Sequence, residues 1–420
     1  MPERSSPADV RAARERLLAA GAPLRRRPRR ERVQVLGRVL ERFRAPESPE
    51  RQRLERELPE ATGFSSATVR EGLARALAPF SAAALEALVE RELDALGKRR
   101  VAVGFEATAV LLGGAVPTPT LPALAGPLAL GSPVLARSSS HDPVTARVFA
   151  AALAAEDAEL GAALALVSFP SDDDLALGEL LATPCVVAFG SDETMAAVGA
   201  RLGPTQRFVR HGHRLSLAVL GEEARGGKDL ADAAAALALD VALWDQQGCL
   251  SPVAVYVLGV ERVPDELVEA LAAGFAEAAR RWPRGRVLSD ATARFAVERD
   301  TAQLRAAAGA DVRVVAGRGF VLVAEPDAAF RGSPLQRFVR VHPAPSAERL
   351  LEAVAPLGPH LAAVGVAGLG PLAGRLEPEL AALGASRICP LGALQAPPLD
   401  WAHDQLGVLL PLARLADIEG

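Results

Sequence analysis

The first hundred residues place apolar side chains three and four positions apart, the spacing of amphipathic helices. Helices are predicted over Ala8–Ala20, Arg32–Phe43, Ser48–Leu58, Ser65–Ala76 and Ser81–Leu96. Ser48, Ser65 and Ser81 stand where a hydroxyl takes up the first unpaired backbone NH groups, and Pro49 suits a first helical position.

From Arg100 the texture changes to short apolar runs alternating with helical ones. Strands are predicted over Val101–Gly104, Ala109–Leu112, Pro133–Arg137, Leu164–Phe169, Cys185–Gly190 and Leu215–Leu220. Helices are predicted between them over Thr120–Ala129, Pro143–Ala155, Asp173–Leu181 and Asp192–Leu202. Such alternation implies right-handed βαβ crossovers and a parallel sheet covered on both faces. After an Ala-rich helix, Lys228–Trp244, the pattern resumes with strands Val253–Leu258, Val312–Val315, Gly319–Ala324, Phe338–Val341, Leu361–Val366 and Arg387–Cys389. The intervening helices are expected over Pro264–Arg281, Asp290–Ala308, Ser346–Val354 and Pro371–Leu383. The chain therefore reads as α/β, with a helical N-terminal region (1–98), a nucleotide-binding parallel-sheet domain (99–220), an α/β catalytic domain (221–395) and a C-terminal segment (396–420).

Composition narrows the picture. A length of 420 residues has room for two cores, and 50% hydrophobic with only 4% aromatic residues means cores of Ala, Leu and Val. A net charge of -4 offers no basic field for nucleic acid. Cys185, Cys249 and Cys389 are few, unevenly spaced and without histidines at metal spacing, which fits a reducing, cytoplasmic setting. No membrane span is expected, because no apolar stretch reaches about 18 residues uninterrupted. The charged N-terminus lacks the apolar core of an export signal. The arginine run Arg25, Arg26, Arg27, Arg29, Arg30 and Arg32 reads as a solvated linker, its alternative being a contact with an acidic partner.

Ligands of open parallel sheets collect at the carboxyl ends of strands. Two predicted ends are conspicuous: Arg137-Ser138-Ser139-Ser140-His141-Asp142-Pro143 and Phe189-Gly190-Ser191-Asp192-Glu193. In the second, a glycine lets backbone approach a ligand at a helix N-terminus, where phosphate is favoured. Both also read as ordinary capped turns, and no G-x-G-x-x-G follows a strand. Gly221–Lys228 lacks full phosphate-loop spacing and reads as a surface turn. The candidate nucleophile is Cys249, in Trp244-Asp245-Gln246-Gln247-Gly248-Cys249-Leu250-Ser251-Pro252, where the chain turns sharply after an apolar helix. Gln246 and Gln247 are polar where packing alone would not place them.

The Asp245–Pro252 segment resembles the nucleophile loop of the aldehyde dehydrogenase superfamily, and more specifically its acyl-CoA reductase branch, typified by the fatty-acid reductase of bacterial bioluminescence. Other segments agree in order: Thr62-Gly63-Phe64-Ser65, Val69-Arg70-Glu71-Gly72-Leu73, Arg137-Ser138-Ser139-Ser140, Gly190-Ser191, His211-Gly212-His213 with Ser216, Arg337-Phe338-Val339, Arg387-Ile388-Cys389-Pro390-Leu391-Gly392, and Trp401-Ala402-His403-Asp404. The resemblance implies an aldehyde dehydrogenase-like fold and a homo-oligomer. It implies an oxidoreductase in which Cys249 takes the acyl group from an acyl-CoA or acyl-carrier protein and a nicotinamide cofactor reduces it to an aldehyde. It carries cofactor binding to Arg137, Ser139, Ser140, Gly190 and Ser191. Ser140 stands where NAD-preferring relatives often have a glutamate, and Arg137 can pair with a 2′-phosphate, which points to NADPH.

Two departures matter. The family's oxyanion-stabilising asparagine falls at Ala115, in Gly114-Ala115-Val116-Pro117, which leaves Thr118, Thr120 or the backbone NH of Cys249 to act instead. The stretch Arg207–Arg214 contains no carboxylate to activate water, which suits a reductase whose acyl-enzyme waits for hydride. His211 or His213 remains available as acid or base, with a structural role the plainer reading. His403-Asp404 reads as capping or subunit contact, because adjacent His and Asp side chains do not easily serve one another. The alternative to a reductase is a non-catalytic or weakly active scaffold of the same fold, binding nucleotide or an acyl-carrying partner.

Overall fold

A computed structural model describes residues 4–97, 99–286 and 289–419. Its strands are β1 (Arg100–Gly104), β2 (Thr108–Leu111), β3 (Val134–Arg137), β4 (Leu164–Val167), β5 (Cys185–Phe189), β6 (Arg207–His211) and β7 (Leu215–Leu220). They continue as β8 (Pro252–Leu258), β9 (Arg313–Gly317), β10 (Phe320–Ala324), β11 (Phe338–Ala344), β12 (Leu361–Ala367), β13 (Arg387–Pro390) and β14 (Ala413–Asp417). The chain forms two compact units: Met1–Thr62, Ala76–His213 and Pro398–Gly420 make the first, and Gly63–Arg75 with Arg214–Pro397 the second.

In the first unit, β4-β3-β2-β5-β6 form a parallel five-stranded sheet. From β2 the chain winds outward through β3 and β4, then returns to place β5 against the other side of β2, so the order reverses there. Ala109, Leu111, Leu135, Val186 and Ala188 bury one sheet face against Val10, Leu17, Ala176, Leu180 and Val198 of the covering helices. Val10 and Leu17 belong to helix Pro7–Arg26, whose Ser6 cap accepts the Asp9 amide while Asp9 returns a bond to Ser6.

Three sequence expectations change here. Val101–Gly104 is a strand, but it joins no parallel sheet; as β1 it pairs antiparallel with β14, which lies more than 300 residues later and has no local strand signal. Strand β6, in Arg207–His211, lacks the apolar run that would announce it, since only Phe208 and Val209 are apolar. The arginine run is not a solvated linker. Arg25 and Arg26 close one helix, Arg29 opens the next (Arg29–Arg44), and Arg27 pairs with Asp157 at 2.7 Å, holding that carboxyl down to about 2. Arg32 is buried and donates to the carbonyls of Leu24 and Ala129. The last segment is tied down by Glu92, whose carboxylate accepts the amides of Val408, Leu409 and Leu410 at 2.8, 2.8 and 2.9 Å.

In the second unit the order is β13-β12-β7-β8-β11-β10-β9, all parallel except β9 with β10. Strand β8 is buried at every position, as expected for a central parallel strand with both faces covered. Glu222–Arg225, within the expected surface turn, is a short 3-10 turn that leads into helix Gly227–Ala242. Gly221 has no room for a side chain, since a Cβ there would fall 2.0 Å from the Gly368 carbonyl oxygen. Among the described residues no single helix is long and apolar enough to cross a membrane.

Candidate active site

Helix Gly227–Ala242 ends one turn before the cysteine loop. Trp244, Asp245 and Gln246 then take left-handed φ values of 57°, 50° and 63°. L-residues with side chains disfavour that region, and a run persists only where surroundings over-determine it, at about 1–3 kcal/mol each. The surroundings are visible. Trp244 is buried edge-on against Phe64, with ring centroids 5.5 Å apart, and lies over Gly72, where a Cβ would come within 2.4 Å of the indole.

A second left-handed run, Leu335, Gln336 and Arg337 with φ of 65°, 61° and 68°, precedes β11. The two runs are cross-linked. Arg337 Nε donates to Asp245 Oδ1 at 2.9 Å, its Nη2 lies 2.6 Å from the same oxygen, and its Nη1 donates to the Trp282 carbonyl at 2.7 Å. Asp245 Oδ2 accepts the Gly285 amide at 2.9 Å. The Gln246 side-chain amide donates to the carbonyls of Pro252 and Phe338 at 2.8 and 3.0 Å, and its Oε1 accepts the Phe338 NH at 2.9 Å. Gln246 thus stitches β8 to β11, so packing does explain it; Gln247 is exposed.

The chain reaches Cys249 at the amino end of β8, half-buried. Ser216 Oγ donates to the Cys249 carbonyl at 2.6 Å, and the Ser251 NH donates to the Gly248 carbonyl at 3.0 Å. Gln395, buried, donates through Nε2 to Ser251 Oγ at 3.1 Å and to the Asp240 carbonyl at 2.8 Å. Ser216 and Gln395 lie far from Cys249 in sequence. Burial pushes the thiol of Cys185 up to about 12 and that of Cys389 up to about 11. Those two sulfurs stay protonated at neutral pH and are poor nucleophiles.

In the first unit, the predicted cofactor residues stand at the carboxyl ends of β3 and β5, the two strands that flank β2, where the strand order reverses. A Cβ at Gly113 would fall 2.5 Å from the Phe189 carbonyl oxygen, so the turns after β2 and β5 touch there through bare backbone. Ser139 Oγ donates to the Gly114 carbonyl at 2.7 Å and accepts the His141 amide at 3.1 Å. Gly190 leads into helix Asp192–Gly199, whose N-cap Ser191 accepts the Thr194 amide at 3.3 Å. Ser140 is exposed. Arg137 is half-buried, donates to the Phe169 carbonyl at 3.1 Å and lies over the Phe169 ring. Bare backbone, hydroxyls and a helix N-terminus are what a dinucleotide's phosphates and ribose need, so these residues fit such a group. Ala115 stands in the turn after β2, and the nearby Thr118 hydroxyl is buried with no hydrogen-bond partner.

The structure adds a partner that the sequence reading of His403-Asp404 did not name: Asp404 Oδ2 lies 2.7 Å from His211 Nδ1, across 193 residues. His211 stacks between Phe189 and His403, with centroids 4.5 and 4.6 Å away, and Trp401 continues the stack on His403 at 4.5 Å. Sequence reading missed this group because its members come from β5, β6 and the chain's end. The tryptophan and histidines were visible as polar aromatics in turns, but nothing local pairs them.

Solved aldehyde dehydrogenases share this architecture. A NAD-dependent benzaldehyde dehydrogenase from Corynebacterium glutamicum superposes with a TM-score of 0.73, at 17% identity, over 99% of this chain and 91% of that one. A putative methylmalonate-semialdehyde dehydrogenase from Sinorhizobium meliloti 1021, solved with NAD, gives 0.75 at 15% identity over 99% and 90%. The fold is therefore aldehyde dehydrogenase-like. The family model for acyl-CoA reductase (LuxC) matches residues 30–417, and the chain belongs to that family. A long-chain acyl-protein thioester reductase of Aliivibrio fischeri is 27% identical over 236 residues, which are 55% of this chain and 47% of that relative.

Proposed function

We propose that this protein is an NADPH-dependent reductase that converts an acyl thioester, carried by CoA or an acyl-carrier protein, into an aldehyde through an acyl-enzyme on Cys249. The observation that carries the reading is the bracing of the Cys249 loop by Asp245, Gln246, Ser216 and Gln395 while the other two sulfurs are held as inert thiols. A buried polar scaffold around one turn is costly unless that turn's position matters. Family membership supports the same chemistry.

In the proposed sequence the Cys249 thiolate attacks the thioester carbonyl carbon, a new carbon–sulfur bond forms, and the carrier thiol departs with a proton. Exchange between thiols of similar basicity costs little and leaves an acyl group still electrophilic. Bound nicotinamide supplies hydride for the reduction. The tetrahedral adduct then collapses, its oxygen becoming the aldehyde carbonyl and Cys249 leaving as thiolate. With no carboxylate in Arg207–Arg214, the acyl-enzyme is not directed to water by a side chain from that stretch. Arg137, Ser139, Ser140, Gly190 and Ser191 would hold the cofactor, with Arg137 and Ser140 accommodating a 2′-phosphate. By the family resemblance the protein assembles as a homo-oligomer.

Ala115 favours a second reading, a weakly active scaffold, since one lost oxyanion donor commonly costs about a hundred to a thousand in rate. One experiment separates the two. Incubation with an acyl-CoA in the absence of nicotinamide, followed by intact mass, is expected to show one acyl adduct that Cys249→Ala abolishes and NADPH discharges as aldehyde. No adduct over hours supports the scaffold, and an adduct that survives in Cys249→Ala overturns the mechanism.

A further inference from the structure

The group formed by His211, His403 and Asp404 has no part in the chemistry above. Its members stand on two elements far apart in sequence: His211 ends β6, while His403 and Asp404 lie in the turn that returns the chain to the first unit. One ligand atom from each can be chosen so that all three lie within 4.8 Å of one another. Asp404 Oδ2 is common to both rings, 2.7 Å from His211 Nδ1 and 3.9 Å from His403 Nε2. The carboxylate is almost wholly buried, at 2% exposure, whereas the imidazoles keep 14% and 23%. The turn is held in an unfavourable conformation, with φ of 55° at Asp404 and 61° at Gln405, which aims the carboxylate back at β6.

We propose that His211, His403 and Asp404 form a binding site for one borderline divalent cation of the zinc type, with a fourth position open to solvent or a small ligand. Two imidazoles and one carboxylate select zinc, cobalt or nickel over magnesium or calcium, which demand oxygen-rich shells. Donors around a tetrahedral zinc with bonds of about 2.0–2.1 Å sit roughly 3.3 Å apart, a spacing that the 2.7 and 3.9 Å separations bracket. The rings now stack at 4.6 Å and 13°, so metal entry requires one ring to turn edge-on. His403, the more exposed of the two, is the ring that turns. The bound ion would replace the His211–Asp404 hydrogen bond and cross-link the C-terminal segment to the sheet.

The test is titration of purified full-length protein with Co²⁺, read by its ligand-field absorption, and with Zn²⁺, read by calorimetry and thermal melting. One equivalent is expected, with tetrahedral cobalt bands but no sulfur-to-cobalt charge transfer, which separates this site from the cysteines. Affinity should fall at least about tenfold in Asp404→Asn and in His403→Ala. His403→Ala, altering the more exposed ligand, serves if Asp404→Asn does not fold. Stoichiometric binding that persists in His403→Ala, binding with a sulfur signature, or no binding at one equivalent each overturns the proposal. None of these readouts depends on turnover, so the outcome is separate from that of the thioester reaction.

Discussion

Asp245 and Arg337 are 92 residues apart, yet their side chains meet in a buried ion pair at 2.6 Å that joins two left-handed turns. One turn carries Cys249 four residues on; the other opens β11. Removing one member of a buried pair strands the other charge, at a cost of about 3–5 kcal/mol. Arg337→Met is expected to lower the unfolding free energy by that order, read from denaturant melts, and to change the rate at which Cys249 is alkylated by iodoacetamide. Arg337→Lys restores little, because an ammonium cannot reach both Asp245 and the Trp282 carbonyl with the planar fork of a guanidinium. An unchanged alkylation rate in Arg337→Met would show that the pair does not position the thiol.

Ser216 acts on the proposed nucleophile through backbone. Its hydroxyl fixes the Cys249 carbonyl, so Ser216→Ala should cost only about 1 kcal/mol in stability. The kinetic effect should be larger on kcat than on KM, since misplacing the sulfur slows attack more than it weakens binding. Steady-state reduction of an acyl-CoA gives both numbers. A variant with wild-type kcat rejects the positioning role.

Asp240 gives the second unit a pH dependence. It is fully buried and raised to about 7 from 3.8 by desolvation, although it accepts the Gly392 amide. Between those values the folded protein holds a proton that the unfolded chain releases, so stability falls as pH rises from about 4 to about 7 and is flat above. Over that interval the loss amounts to up to about 4 kcal/mol. Asp240→Asn keeps an oxygen for the Gly392 amide and carries no charge. Denaturant melts should show the variant gaining on wild type as pH increases, with the difference greatest near pH 8; parallel pH curves would exclude the effect.

Cofactor choice is expected to turn on one exposed position. Ser140→Glu places a carboxylate where the proposed 2′-phosphate lies and offers the ribose hydroxyls of NADH an acceptor. The ratio of kcat/KM for NADPH over NADH should drop by about tenfold or more, corresponding to about 1.4 kcal/mol. Reduction assays with both cofactors measure it, and an unmoved ratio would remove Ser140 from the cofactor site.

The cysteine loop was legible as a motif, because Gly248-Cys249 with Ser251-Pro252 after an apolar helix is a local pattern. Its supports were not. Gln246 looked functional for want of a packing partner, and its partners prove to be backbone groups of Pro252 and Phe338. The Ser140 and Ser191 turns were visible at strand ends, whereas the contact of Gly113 with the Phe189 carbonyl required knowing that β2 and β5 are neighbours.

By itself the sequence determined the order and type of most elements and hence an α/β fold, because the 3.6- and 2-residue periods of burial are written within a few turns of chain. Only the tertiary structure decided that β1 finds its partner in β14, that the arginine run pairs inward with Asp157 and the Leu24 and Ala129 carbonyls, and that Asp404 meets His211 across 193 residues. Each of these is a pairing between polar or short segments whose local patterns are compatible with many partners. The choice among them is made by which surfaces remain to be covered once the sheets have formed.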